Sequence, residues 1–511
     1  MTTTNPEANF NVPARQSRAA ILIFILKFIN NTFRKGWALL VPAFLALRKL
    51  SLDDWQIYVL GFVIVTIYIV FSYLSYQRFF YYVLGEEIII EKGILYKTKI
   101  SLPFDKVQTI NFKQNILQQA LGVLTLEIDA AGSGTEEISL EALRENRAKQ
   151  FRDYILDRRG ATEQLVEGES SPLDSDKTED HTWKKRETKT LLRLQPVDLI
   201  KIGISQNHLR SMVIFAAFVW NIYDQLKKQL NFNEEEKIEE LTGFIGNEWL
   251  GRLGLTIAIV LLLSLIVSLG LVFFRNFNFR LLETGEAIKK RYGLFERQEQ
   301  STTLSKIQSV SWGDNLIKKL FGLFVFRMYP AAGTELNSKK TISVPGCYRR
   351  HVKTVLDLIF GNQEVVHYSR HPMSRLFIRR YLLFLGILPA VFLTALTCML
   401  NGFYGLFFLL WIPLAFVAVK VYYNKWQLFL SEDILKIQYG LFSHQNKMMF
   451  FHKVQGVKLS QSPYQKRNRL ASLELFSAGR NFSINYLSYD TALQLQNYIL
   501  YKVESYEETW M

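Results

Sequence analysis

Two cysteines, Cys347 and Cys398, are all that 511 residues contain. One falls inside an apolar run and the other outside it, so no disulfide framework is available. Charge is missing where its absence says most. Residues 55–76 and 253–274 hold no Asp, Glu, Lys or Arg in 22 positions, 381–401 none in 21 and 403–419 none in 17. About 20 apolar residues carry a helix across the hydrocarbon core, so these four runs read as transmembrane helices. Their lack of ionisable groups argues against an ion or charged-substrate pathway. It leaves a transporter or channel component for an uncharged or amphipathic solute as the alternative function. Catalytic signatures are absent too: no His-Glu-x-x-His, no Gly-x-Ser-x-Gly, no P-loop and no dinucleotide turn. The seven histidines are scattered. His367 and His371 stand four apart, but Pro372 makes that segment extended rather than helical, so neither a metal nor a cofactor is expected. No stripe of Lys and Arg interleaved with aromatics suggests nucleic acid. An enzyme is not expected.

Hydrophobic residues make up 49 % of the chain, and the formal charge is +15. Two weaker apolar runs, 36–47 and 211–223, precede the strong runs at 55–76 and 253–274. Taken as spans over 36–50 and 208–226, they give six transmembrane helices in three pairs. Residues 18–33 read as an interfacial amphipathic helix, and no cleavable signal is evident. Arg15, Arg18, Lys27, Arg34 and Lys35 precede the first span, and Arg370, Arg375, Arg379 and Arg380 precede the fifth; the loop at 224–248 is acidic. The positive-inside rule then places both termini and the segments after each pair in the cytoplasm. The basic balance suits anionic membrane lipid as a partner.

A forty-residue sentence recurs after each pair. It reads Gly93-Ile94-Leu95, Lys106-Val107-Gln108 and Gly122-Val123-Leu124; then Gly293-Leu294-Phe295, Lys306-Ile307-Gln308 and Gly322-Leu323-Phe324; then Gly440-Leu441-Phe442, Lys453-Val454-Gln455 and Leu470-Ala471-Ser472-Leu473. Gly to Lys is 13 residues each time, whereas Lys to the small residue before the last apolar pair is 16, 16 and 18, an apparent two-residue insertion in the third copy. A register of this kind marks a triplicated module. Short alternating stretches with Gly punctuation predict strands, and helices close each copy near 141–158, 348–360 and 489–503. A proline-bearing arm precedes each pair, and aromatic clusters (Phe79 to Tyr82, Phe277 with Phe279, Tyr422 with Trp426) follow it, as in a headgroup-level belt. The recurrent Lys reads as a turn lysine whose amine reaches water, Gln108, Gln308 and Gln455 as groups satisfying the backbone inside a barrel, and the Gly as a turn residue.

Together, the paired helices, the Gly-Ile/Leu-Phe/Leu step, the Lys-Val/Ile-Gln strand and the Ala-Gly turn (Ala131-Gly132, Ala332-Gly333 and Ala478-Gly479) resemble the bacterial pleckstrin-homology family (bPH2, the membrane-flanked domain). The triplicated form is similar to its YdbT-type members. The resemblance implies an α+β membrane protein in which each transmembrane pair is followed by a PH-like split β-barrel with a C-terminal helix, in a bacterial inner membrane. It further implies a smaller single-module YdbS-type partner and a link to envelope stress or bacteriocin resistance. The expected organisation is an arm and interfacial helix over 1–35, a first pair over 36–78, module 1 over 79–160 and a disordered linker over 161–190. Arm and second pair occupy 191–275, module 2 276–362, arm and third pair 363–423, and module 3 424–511. The expected function is a non-enzymatic scaffold binding lipid headgroups or protein. Candidate contacts are the basic clusters that differ between copies: Lys97 and Lys99; Lys289, Lys290, Arg291 and Arg297; and Lys466, Arg467 and Arg469.

Overall fold

A computed structural model describes residues 10–27, 54–130, 138–167, 188–206, 217, 249–285, 287–331, 341–362 and 365–506. In module 1, strands β1 (Phe80–Leu84), β2 (Glu87–Lys92) and β3 (Thr98–Pro103) form one antiparallel sheet. Strands β4 (Val107–Gln114), β5 (Val123–Ala130) and β6 (Ile138–Arg144) form the start of a second, and helix Glu145–Glu167 follows. Module 2 repeats this with β7 (Thr188–Arg193), β8 (Arg280–Thr284), β9 (Ala287–Tyr292) and β10 (Arg297–Thr303), then β11 (Ile307–Gly313), β12 (Leu323–Pro330), β13 (Ile342–Tyr348) and helix Arg349–Phe360. Module 3 has β14 (Ser369–Pro372), β15 (Gln427–Leu430), β16 (Ile434–Tyr439) and β17 (Gln445–Phe450), then β18 (Gly456–Ser460), β19 (Leu470–Phe476), β20 (Phe482–Ser488) and helix Tyr489–Glu504.

The arms prove to be strands: β7 pairs β8 and β14 pairs β15, and in module 1 Ala14 and Tyr81 exchange two backbone hydrogen bonds of 3.0 Å. Modules 2 and 3 thus have seven strands each. Alternation drives burial as expected; in β20, Phe482, Ile484 and Tyr486 are buried while Ser483 and Asn485 are exposed. The aromatic clusters depart from expectation. Tyr81, Phe279 and Trp426 lie in the module cores rather than in a headgroup belt. The chain passes from the helix ends at Gln77, Arg275 and Lys425 into a strand within a few residues, so those rings are drawn straight into the barrel.

The sheets are not confined to modules. β10 pairs β4 and β17 pairs β11, so two seven-stranded sheets run across the module boundaries, with a three-stranded sheet at each end.

Among the described residues, three helices are long and apolar enough to cross a membrane: Ala258–Arg275, Leu376–Leu400 and Gly405–Lys425. A further apolar helix, Asp54–Gln77, covers the first strong run. Among the described residues the count is therefore three, where six were expected. The weak spans 36–50 and 208–226 lie outside the described residues, Ala217 apart. The helix begun at 18–33 is seen over 19–27, and 28–33 lie outside the described residues. Helix Glu145–Glu167 overruns the expected linker boundary at 161, and β7 begins before its end; 168–187 are outside the described residues. In the third pair, Pro389 has no N–H for the carbonyl of Leu385, and the helix widens into a π turn at Leu382–Ile387. Trp411 of the facing helix donates its indole N–H to that carbonyl at 2.7 Å, which satisfies it where lipid offers no donor.

Candidate functional site

The module boundaries collect most of the repeated residues. Gly93, Gly293 and Gly440 have φ of +117°, +104° and +139°, and a Cβ at each would lie 1.9 to 2.1 Å from the carbonyl oxygen three residues on. Only glycine closes this hairpin. The recurrent lysine does something the sequence did not show. Lys306 is buried and donates to the Val107 carbonyl at 3.1 Å, and Lys453 is buried and donates to the Ile307 carbonyl at 2.9 Å and to that of Ser305. Each lysine therefore reaches into the preceding module rather than into water. Burial lowers the Lys453 ammonium to about 8. Lys106, in module 1, is exposed. The glutamines diverge: Gln308 is fully buried, while Gln455 is exposed and so does not serve inside a barrel.

The first boundary is closed by an ionic trio. Glu299 on β10 receives Arg152 of the module 1 helix at 2.8 Å and Arg291 of β9 at 2.7 and 2.9 Å. Glu299 and Arg152 are buried, and the Arg152 guanidinium lies 5.0 Å over the Phe112 ring. Beside the trio is a cavity of about 350 Å³ reached by Lys149, Arg297 and the chain exit at Asn278. At the second boundary Arg480 donates to the Tyr329 hydroxyl at 2.6 Å, and a Cβ on Gly479 would meet Gln308 and the Tyr329 carbonyl at 3.0 Å. The Ala-Gly turn of module 3 is thus a docking contact on module 2.

The basic clusters do not form one kind of surface. Lys97 and Lys99 are exposed, with Lys99 3.7 Å from Glu91. Lys289 is half-buried, and burial lowers its ammonium below the ordinary lysine value. Lys290 is buried 4.5 Å over the Tyr292 ring and lowered to about 8. Arg291 is committed to Glu299, which leaves Arg297 as the exposed member of the second cluster without that tie. Lys466, Arg467 and Arg469 are exposed. Arg469 has φ +50°, where Gly122 and Gly322 have +63° and +64°. It stands 16 residues after Lys453, as those glycines do after Lys106 and Lys306. The third copy therefore has no insertion; an arginine occupies the left-handed turn.

A second cavity, about 470 Å³, opens where the third helix pair meets module 3. Phe377, Tyr381, Leu385, Val419 and Tyr422 wall it from the helices, and Ile437, Tyr439, Lys447, Ser483 and Asn485 from the barrel. Phe377 stacks on Tyr381 at 4.1 Å and lies edge-on to Tyr486 at 5.4 Å. The Lys447 ammonium sits 5.3 Å over Tyr439 and 5.6 Å over Phe482. Burial, then the Arg480 charge, lower it from the usual lysine value, and burial raises Tyr439 above the usual phenol value. One wall is apolar and continuous with membrane helices, the other carries a cation, a hydroxyl and an amide. Sequence reading missed this cleft, because Tyr439 shares its strand with Lys436 and Gln438 and Lys447 shares its own with Gln445 and Asn446, so neither residue stands out. Among the described residues no cluster of His, Cys, Asp and Glu suits a metal.

Three stretches, 22–159, 240–363 and 383–503, match the family described as "Bacterial PH domain", bPH_2. The UPF0699 transmembrane protein YdbT of Bacillus subtilis (strain 168) is 22% identical over 406 residues, which cover 79% of this chain and 80% of that one. No solved structure matches. The triple match accounts for the triplicated architecture, and the chain belongs to the bacterial PH domain family.

Proposed function

We propose that the protein is a non-catalytic membrane scaffold whose three PH modules form one β array on the cytoplasmic face and whose third module holds an anionic lipid. The observation that carries the reading is the cleft between the third helix pair and module 3. Its volume falls within the roughly 300–1,000 Å³ range of ligand sites, and it has the usual apolar lining with a few placed polar groups. An acyl chain would lie against Phe377, Leu385 and Val419, and a phosphate would meet Lys447. The charge distribution supports the orientation, because basic residues flank the helices on the module side. Such an array suits the envelope-stress role that the family resemblance implies.

The test is labelling by a photoactivatable phosphatidylglycerol in phosphatidylcholine vesicles holding the full chain. Labelled peptides should map to β16, β17 and helix Trp411–Lys425, and Lys447→Glu should reduce them severalfold. Equal labelling by a phosphatidylcholine probe, or none in these peptides, would sink the proposal.

A further inference from the structure

Both internal boundaries use one register. Counting from each module's hairpin Gly and from the preceding module's Lys, Gln298 opposite Lys113 is the same pair as Gln445 opposite Gly313. Glu299 opposite Phe112 likewise corresponds to Asn446 opposite Trp312. Two independent boundaries in identical register define a built interface, and the array ends by exposing both of its halves. Among the described residues β3, the counterpart of β10 and β17, has no strand on its outer side, and neither has β18, the counterpart of β4 and β11.

We propose that β18 of one copy pairs with β3 of a second copy, head to tail, continuing the sheet across molecules as it already runs across modules. The shared register sets Leu459 opposite Lys99, Lys458 opposite Ile100 and Val457 opposite Ser101. The residue types agree with the internal boundaries. An apolar residue faces a polar one at Phe112/Glu299, Trp312/Asn446 and now Leu459/Lys99. Ser301 donates to the Ile110 carbonyl at 3.1 Å; Ser101 holds that same position opposite Val457. Lys106 is then placed to reach the Val454 carbonyl, as Lys306 and Lys453 reach those of Val107 and Ile307. Gln119, which bonds the hairpin carbonyls of Leu294 and Phe295 at 3.1 and 3.0 Å, has Lys466 as its counterpart facing Ile94 and Leu95. Three of the exposed cluster lysines, Lys97, Lys99 and Lys466, thereby fall on this contact.

A long edge left open invites pairing, and lysine is a usual deterrent. Here it is weak evidence against pairing, since Lys113 and Lys447 sit in strands that do pair internally. A head-to-tail contact is heterologous, so it closes into a ring or grows as a filament.

Two differently tagged full-length chains, one Leu459→Cys and the other Lys99→Cys, are co-expressed and oxidised in native membranes. Lys458→Cys with Ile100→Cys is run in parallel, because only one of two adjacent pairs has the shorter spacing of a non-hydrogen-bonded site. Trp312→Cys with Asn446→Cys in one chain reports that the chemistry works at a known boundary. A disulfide joining the two tags, absent from either single variant and lost on adding Val457→Pro, is expected. An internal cross-link without the joining one overturns the proposal. So does capture of a different protein, such as a single-module membrane partner, by both cysteines.

Discussion

Replacing Glu299 with alanine should loosen the first module boundary, because it leaves the buried Arg152 with only its half-exposed neighbour Asp153, at 2.9 Å, as an anion. The ladder between β10 and β4 spans three residue pairs, Arg297/Gln114 to Glu299/Phe112, backed by the Ser301 and Lys306 bonds to β4 carbonyls, so the ionic contacts are a substantial part of that boundary. Removing one partner of a buried ion pair costs about 3–5 kcal/mol, and the Asp153 contact that Arg152 keeps puts Glu299→Ala at the low end of that range. Arg291 is half-exposed and sheds its partner into water at little cost, so nearly all of the penalty falls on Arg152. Hydrogen exchange reads this directly, since amides of Phe112 to Gln114 exchange through local opening. At about 1.4 kcal/mol per tenfold, a loss of 3 kcal/mol means roughly a hundredfold faster exchange there, with β19 and β20 unaffected. Arg291→Ala should change it by less than about fivefold, corresponding to under 1 kcal/mol. Acceleration below about threefold in Glu299→Ala would show that packing alone holds the boundary, and the electrostatic account would fail.

Lys453 should make the second boundary more stable as pH rises. Its folded-state value of about 8 lies below the ordinary ~10.4, so between these the folded chain holds fewer protons than the unfolded one and stability increases with pH; below about 8 the full penalty remains. The guanidinium midpoint for release of module 3 should therefore rise from pH 7.5 to 9.5 relative to Lys453→Met, and parallel profiles would refute it. Arg469→Gly should raise the stability of module 3 by about 1 kcal/mol, the strain of a non-glycine left-handed residue less the added freedom of the unfolded chain. A destabilised variant would mean that the Arg469 side chain makes contacts worth more than that strain.

The repeat, the strand-rich modules and their closing helices were legible because alternation and glycine spacing are local signals. What escaped detection lay across boundaries. Lys306 and Lys453 read as solvent-facing turn residues in the sequence, yet their acceptors lie 199 and 146 residues away, in a neighbouring copy that no pattern within one module can indicate. Arg469 hid the register for a related reason: residue type suggested that a small residue marked the turn, while backbone angle shows the turn persisting with an arginine in it. The cleft at Lys447 needed the helix pair and the barrel to meet, and the short connections from Pro372 to Leu376 and from Lys425 to Gln427 bring them together. The aromatic clusters illustrate an ambiguity of chemistry: Tyr81 and Trp426 suit a headgroup belt and a barrel core equally, and chain direction decides.

Sharing sheets between modules also fixes an order of events at the ribosome. When β4 emerges its outer edge has no neighbour until β10 is made roughly 180 residues later, a wait of about 10–35 s at bacterial-scale synthesis rates of ~5–20 residues per second. Throughout that interval the nascent chain displays a strand edge shaped to accept a β10-type strand, and an adjacent polysome supplies finished ones. Slowing translation between Gln114 and Arg297 should therefore favour exchanged strands between chains, so the tempo of synthesis becomes part of what determines which module each sheet is completed by.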